Sequence, residues 1–107
     1  MTLYGLKACD TCRKALKALR EAGHEAELVD VRETPVGDAV LDRFLGAFGE
    51  ALVNTRSTTW RGLSEDERGL PARTLLAAHP ALMKRPVIEA DGTLYLGWDA
   101  GVRSALL

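Results

Sequence analysis

Hydrophobic and polar positions change their period several times along the chain, and each change marks an element. Residues 2–5, TLYG, combine β-branched, apolar and aromatic side chains and stop at a glycine, which predicts a short buried strand. From Asp10 to Ala22 the spacing turns helical. Cys12, Ala15, Leu16, Leu19 and Ala22 share one face, and Lys14, Lys17, Arg20 and Glu21 fill the others. Gly23 is a natural stop. Residues 24–32, HEAELVDVR, centre on Leu28, Val29 and Val31 and read as a second strand. Strand, helix and strand within about thirty residues make a βαβ unit, whose strands run parallel.

Thr34-Pro35 breaks this pattern, and Asp38 opens a helix whose Leu41, Phe44, Leu45 and Phe48 form an apolar face ending at Gly49. Leu52 and Val53 add apolar weight before the polar stretch NTRSTTWRG. Ser64 and Glu67 have capping-box spacing and predict a short helical turn to Gly69. Pro71 suits the first turn of another helix, which runs to His79 and stops at Pro80. The runs PVIEA and TLYLG flank Asp91-Gly92, the strongest hairpin signal in the chain. Asp99 is placed to cap a last helix carrying Val102, Ala105 and Leu106. The order is βαβ, three short helices, then ββα. It predicts an α/β protein with a thioredoxin-like fold: a four-stranded mixed sheet, antiparallel at its hairpin edge, interrupted by a helical insertion. One domain over 1–107 is expected, with fold halves at about 1–33 and 80–107 and the insertion at about 36–79.

Composition sets the class. With 107 residues, 47% hydrophobic and 27% charged, the chain can bury one core without metal or disulfide support. A formal net charge of -1 offers no global attraction for nucleic acid or an acidic membrane. MTLYGLKACD lacks the apolar core of a signal peptide, and no apolar run approaches a membrane span. These features predict a cytoplasmic monomer with no membrane or direct nucleic-acid contact, in a compartment where lasting structural disulfides are uncommon.

The candidate chemistry lies in YGLKACDTCRKALKAL, residues 4–19, which holds the chain's two cysteines. Cys9 stands one residue before the predicted helix and Cys12 in its first turn. Free N–H groups and the positive end of the helix dipole favour an anion there, so a thiol is shifted toward thiolate. Cys9 would be the exposed nucleophile and Cys12, one turn on, the half-buried resolving thiol. Asp10 is expected to cap the helix while adding negative charge beside the sulfur, offset by Lys7 and Arg13. A zinc site needs two further ligands, and only His24 and His79 remain, 55 positions apart and without knuckle spacing. Packing as two small hydrophobes suits Cys12 better than Cys9. A CxxC opening the helix of a βαβ unit points instead to thiol–disulfide exchange, with no metal. His24 and His79 read as surface or helix-end residues, and Trp60 and Trp98 as packing residues.

Downstream, Arg85-Pro86 precedes the third strand, where a thioredoxin fold sets a cis-proline beside the nucleophile. An arginine there would aim its guanidinium near Cys9, stabilising a thiolate or gripping an oxyanion or carboxylate. Arg56 is a candidate second anion clamp, and Pro86 is expected to shape the substrate edge.

Together these segments resemble the arsenate reductase–Spx–YffB family over essentially the whole chain. YGLKACDTCRKALKAL is similar to its active-site loop and first helix, ALVNTRSTTWRGL to its middle motif, and HPALMKRPVI to its helix-then-Arg-Pro signature. The resemblance implies a thiol-dependent reductase with a Cys9 nucleophile, the intermediate being resolved by Cys12 or by glutathione or glutaredoxin. Glutathione is then a co-substrate, and no bound cofactor is expected. Cys9 matches the nucleophile of the glutaredoxin-linked arsenate reductases, and Arg85 matches one of their arsenate-binding arginines. Arg56 lies near a second. A third is expected just after the last strand, where YLGWDAG offers Gly97 or Trp98. A doubly charged oxyanion would lose a charge partner, so the implied substrate moves from arsenate toward thiols. Spx-type regulators carry a CxxC here as a redox switch and bind the C-terminal domain of the RNA polymerase alpha subunit. The YffB-like branch, with its glutathione-dependent thiol reductases, is the nearest match to NTRSTTWR and to the ending soon after the last helix.

Overall fold

The computed structural model describes residues 1–107. Strand β1 (Thr2–Gly5) leads through a short turn into helix α1 (Asp10–Glu21), which returns to β2 (Glu27–Asp30). Helix α2 (Asp38–Phe48) continues into a 3-10 turn at Gly49–Leu52, followed by three short helices, α3 (Thr58–Arg61), α4 (Glu65–Arg68) and α5 (Ala72–Ala78). A second 3-10 turn, Pro80–Leu82, leads to the hairpin β3 (Val87–Ala90) and β4 (Thr93–Leu96), and α6 (Ala100–Leu106) closes the chain. The strand order is β2-β1-β3-β4. β1 pairs parallel with β2 and antiparallel with β3, and β3 pairs antiparallel with β4. This is the four-stranded mixed sheet of the thioredoxin-like fold, with a helical insertion between its βαβ and ββα halves.

Strand alternation divides the core between the two sheet faces. Leu3 and Ile88 point to one side and bury against Ala15, Leu19 and Leu106 of α1 and α6. Val87, with Leu41 and Phe44 of α2, Leu75 and Leu76 of α5, and Leu82 and Met83, fills the other. Tyr4 also points to this second face, edge-on to Phe44 at 5.0 Å. Trp60 packs against the second cluster and Trp98 against the first, as expected for packing residues. At the hairpin, Asp91 and Gly92 both have positive φ, 50° and 80°, the combination a type I′ turn requires. No helix is long and apolar enough to cross a membrane.

Two local readings are corrected. The second strand spans four residues rather than nine. Upstream, Gly23 at φ 93° turns the chain out of α1, and the His24 amide closes that turn onto the Leu19 carbonyl. Downstream, the Asp30 carboxylate captures the amides of Arg32 and Glu33 at 2.9 and 3.2 Å, which ends the ladder. The polar stretch NTRSTTWRG contains a helix of its own, α3. The Ser57 hydroxyl accepts the Trp60 amide at 3.1 Å, a cap hidden in a segment with no apolar period.

Candidate redox site

The turn between β1 and α1 carries Leu6, Lys7, Ala8 and Cys9, and the end of β2 fixes it from one side. The Lys7 amide donates to Asp30 Oδ2 at 2.9 Å, the Val31 amide to the Gly5 carbonyl at 2.9 Å, and the Cys9 amide to the Leu6 carbonyl at 3.0 Å. The amides of Lys7, Arg32 and Glu33, that of Lys7 first, hold the Asp30 carboxyl below the usual carboxylate range. The Lys7 ammonium turns away to Glu33 at 2.7 Å, so it is not free to offset charge at the cysteines. Asp10 does not cap α1. Cys9 occupies the N-cap, no side chain caps the helix, and Asp10 pairs with Arg13 one turn on. Its negative charge is therefore answered locally rather than at the sulfur.

Cys9 is half-buried and Cys12 fully buried, and both are free thiols. Their acidities move in opposite directions. Burial is the largest influence on Cys9 and works against ionisation. The Cys12 amide, the Cys12 thiol and the Arg85 guanidinium together outweigh it and lower the Cys9 pKa. Cys12 is pushed up to about 11, by burial first, against the Leu6 amide and then with the neighbouring Cys9 sulfur adding to the rise. Cys9 therefore ionises ahead of Cys12, whose thiol is placed to hydrogen-bond the Cys9 sulfur.

Space for the second sulfur comes from Gly5. A Cβ on that residue would sit 2.4 Å from Cys12 Sγ, closer than side-chain carbons approach. Arg85 reaches the pair from the start of β3, the strand beside β1. One of its nitrogens donates to the Ala81 carbonyl at 2.8 Å, anchoring the guanidinium to the 3-10 turn that ends the insertion. The Arg85-Pro86 bond is cis, and the Pro86 carbonyl accepts the Gly97 amide at 2.8 Å. Pro86 itself is buried, so its ring is not open to a substrate.

Arg56 is carried by a segment of the insertion. Residues 51–56 run beside 82–84, joined by Asn54 N to Leu82 O at 2.8 Å and Lys84 N to Leu52 O at 2.7 Å. Arg56 faces a shallow pocket there together with Lys84, and it is not among the principal groups acting on either sulfur. His24 contacts the Leu106 carbonyl at 2.7 Å and His79 lies 3.4 Å from Glu67. Both occupy helix-end positions.

Gly5 and Asp30 are site residues that sequence reasoning read only as a strand stop and a strand position. A glycine closing a strand four residues before a CxxC, and an Asp closing the parallel neighbour, are the signals that point to them.

With this geometry in place, the profile of the ArsC family matches residues 4–104. The chain belongs to the ArsC family. An uncharacterized protein from Haemophilus influenzae is 40% identical, over 92% of this chain and 91% of its own. The solved structure of a YffB protein superposes with a TM-score of 0.90 at 32% identity, covering 99% of this chain and 97% of that one. Two functional classes stand among the other relatives. An arsenate reductase of Neisseria meningitidis is 31% identical, over 83% of this chain and 82% of its own. The global transcriptional regulator Spx of Bacillus subtilis is 27% identical, over 92% and 80%. Within the ArsC family the chain is thus a thiol-dependent reductase-like protein.

Proposed function

We propose that this ArsC-family chain reduces disulfides or oxidised sulfur through Cys9, with Cys12 as the resolving thiol and a low-molecular-mass thiol such as glutathione as the electron donor. The observation that carries the reading is the opposite shift of the two thiols: an accessible Cys9 favoured as thiolate beside a buried Cys12 held as thiol. The Cys9 thiolate attacks one sulfur of a substrate disulfide, the S–S bond breaks, and the other half leaves as a thiolate that takes a proton. Loss of the Cys9 charge then removes one of the causes that keep Cys12 protonated. Cys12 gives up its proton and attacks Cys9 Sγ, releasing the second half of the substrate and leaving a Cys9–Cys12 disulfide. Two molecules of glutathione restore the dithiol and leave as one glutathione disulfide. Alternatively glutathione resolves the first mixed disulfide directly. Arg85 stabilises the anion at each stage because its charge acts on both sulfurs.

The test is a glutathione- or glutaredoxin-coupled reductase assay with a model disulfide and with arsenate, comparing wild type, Cys9→Ser and Cys12→Ser. Turnover that disappears in Cys9→Ser supports the reading. Absence of turnover, or turnover indifferent to that substitution, defeats it. Loss in Cys12→Ser as well assigns resolution to the pair, and retained turnover assigns it to glutathione.

Similarity to the global transcriptional regulator Spx favours a second reading, in which the same pair is a redox switch on a protein that docks on the RNA polymerase alpha subunit. Binding to its C-terminal domain that differs between dithiol and disulfide forms would support this, and no binding in either form would eliminate it.

A further inference from the structure

Asp30 ends β2 in register with Gly5, the residue that makes room for Cys12. From there its carboxylate works on two segments at once. Oδ1 accepts the amides of Arg32 and Glu33 on its own loop, and Oδ2 accepts the Lys7 amide of the β1–α1 turn at 2.9 Å. The Glu33 carboxylate takes the Lys7 ammonium at 2.7 Å, so Lys7 is held by both its backbone and its side chain. Lys7 follows directly on the residue that serves both cysteines. The Leu6 amide acts on Cys12 Sγ, and the Leu6 carbonyl holds the Cys9 amide at 3.0 Å. Helix α1 adds no side-chain cap of its own at this point. Both Asp30 oxygens are thus committed, one to each segment. An asparagine offers a single acceptor oxygen and can serve only one of them.

We propose that Asp30 is a positioning residue for the dithiol: by tying Lys7 to the end of β2 it sets the Leu6–Cys9 turn, so that Cys9 meets the first turn of α1 within reach of Cys12. The Asp30 carboxylate is not among the principal groups acting on either sulfur, so its influence passes through the backbone. Charge and position predict opposite signs. Removing a nearby negative charge would favour the Cys9 thiolate, whereas releasing the turn takes Cys9 away from the Cys12 amide and disfavours it. The inference rests on the thiol-exchange reading, and its test uses no natural substrate.

The reduced full chain is treated with an aromatic disulfide whose leaving thiolate is coloured, at a temperature where circular dichroism shows every variant folded. Cys9 attacks one reagent sulfur, the reagent S–S bond breaks and one coloured thiolate leaves. Cys12 then loses its proton to solvent, attacks Cys9 Sγ and expels the second. The pH midpoint of the first release reports Cys9, and the rate of the second reports closure of the pair. Asp30→Asn and Asp30→Ser are compared with wild type, the serine keeping a short acceptor for its own loop but none that spans to Lys7. Ser64→Ala, which removes the cap of α4, is the stability control. Both Asp30 variants should raise the midpoint and slow closure about three- to tenfold, the worth of one hydrogen bond. Ser64→Ala should leave the midpoint and the closure rate as they are in wild type. A midpoint that falls, or closure as fast as wild type in both Asp30 variants, overturns the proposal. If wild type gives no second release, the resolving role of Cys12 fails, and the direction of the midpoint alone decides for or against Asp30. Slowed closure in the Asp30 variants supports the positioning role even where the coupled assay finds no reductase turnover, a result that defeats the reductase reading alone.

Discussion

Gly5→Ala is the sharpest probe of how the site is built, because it adds one methyl group at one known place. Gly5 has no positive φ, so the backbone accepts alanine, and the loss of glycine freedom in the unfolded chain alone would stabilise by about 0.4–1 kcal/mol. The new Cβ, however, meets Cys12 Sγ at 2.4 Å, while its contacts with Cys12 Cβ at 3.4 Å and Leu28 Cδ1 at 3.7 Å are tolerable. The conflict is therefore with a single fully buried sulfur. Overpacking of this kind costs about 1–3 kcal/mol, which exceeds the entropic gain. A net loss of about 1–2 kcal/mol should lower the midpoint of thermal unfolding by roughly 4–15 °C in a domain of this size. The decisive measurement is a double-mutant cycle by urea unfolding. Cys12→Ala alone should destabilise by opening a small cavity, but in that background Gly5→Ala should cost little or become stabilising. The coupling energy should be at least about 1 kcal/mol. Equal effects of Gly5→Ala in both backgrounds would show that the glycine is not there to seat the second sulfur.

Other consequences can be measured separately. Arg85→Gln removes a cation that lowers the Cys9 pKa, so the pH midpoint of Cys9 alkylation by iodoacetamide should rise, and labelling at pH 7 should slow several-fold; an unchanged midpoint would refute the contact. The raised pKa of Cys12 contributes stability that is fully present below the ordinary thiol value of 9.0 and is lost as pH rises toward about 11, so wild type should weaken more steeply over that alkaline window than Cys12→Ala. Asp30 has a depressed pKa, so its contribution is present above the ordinary carboxylate value and lost as pH falls through the lower folded value. Asp30→Asn should destabilise by about 1–3 kcal/mol at neutral pH through disturbed amide partners and should flatten the acid limb of the stability curve.

Much of the architecture was legible because its signals are local. The 3.6-residue period of α1, the Asp91-Gly92 turn and the capping box at Ser64 each arise from neighbours within a few positions, and all three form as read. The CxxC at a strand-to-helix junction and the Arg-Pro before β3 likewise named residues that the fold brings together, since Arg85 acts on the Cys9 sulfur. Where the reading failed, a side-chain hydrogen bond had overridden propensity: Asp30 shortened β2, Ser57 started α3, and Arg13 took Asp10 away from a capping role.

The sequence alone determined the order of elements and the presence of a cysteine at a helix start, since both depend on residues adjacent in the chain. Tertiary structure decided what that cysteine can do. Arg85 reaches Cys9 only because antiparallel pairing of β1 with β3 brings the ends of the chain together. The two thiols separate in acidity because burial dominates at Cys12, whereas at Cys9 it is outweighed by the Cys12 amide and thiol and by Arg85, a balance that belongs to the packed fold and not to any segment. The space at Gly5, and the hold of Asp30 on Lys7, exist for the same reason: each depends on an atom that folding brings from elsewhere in the chain.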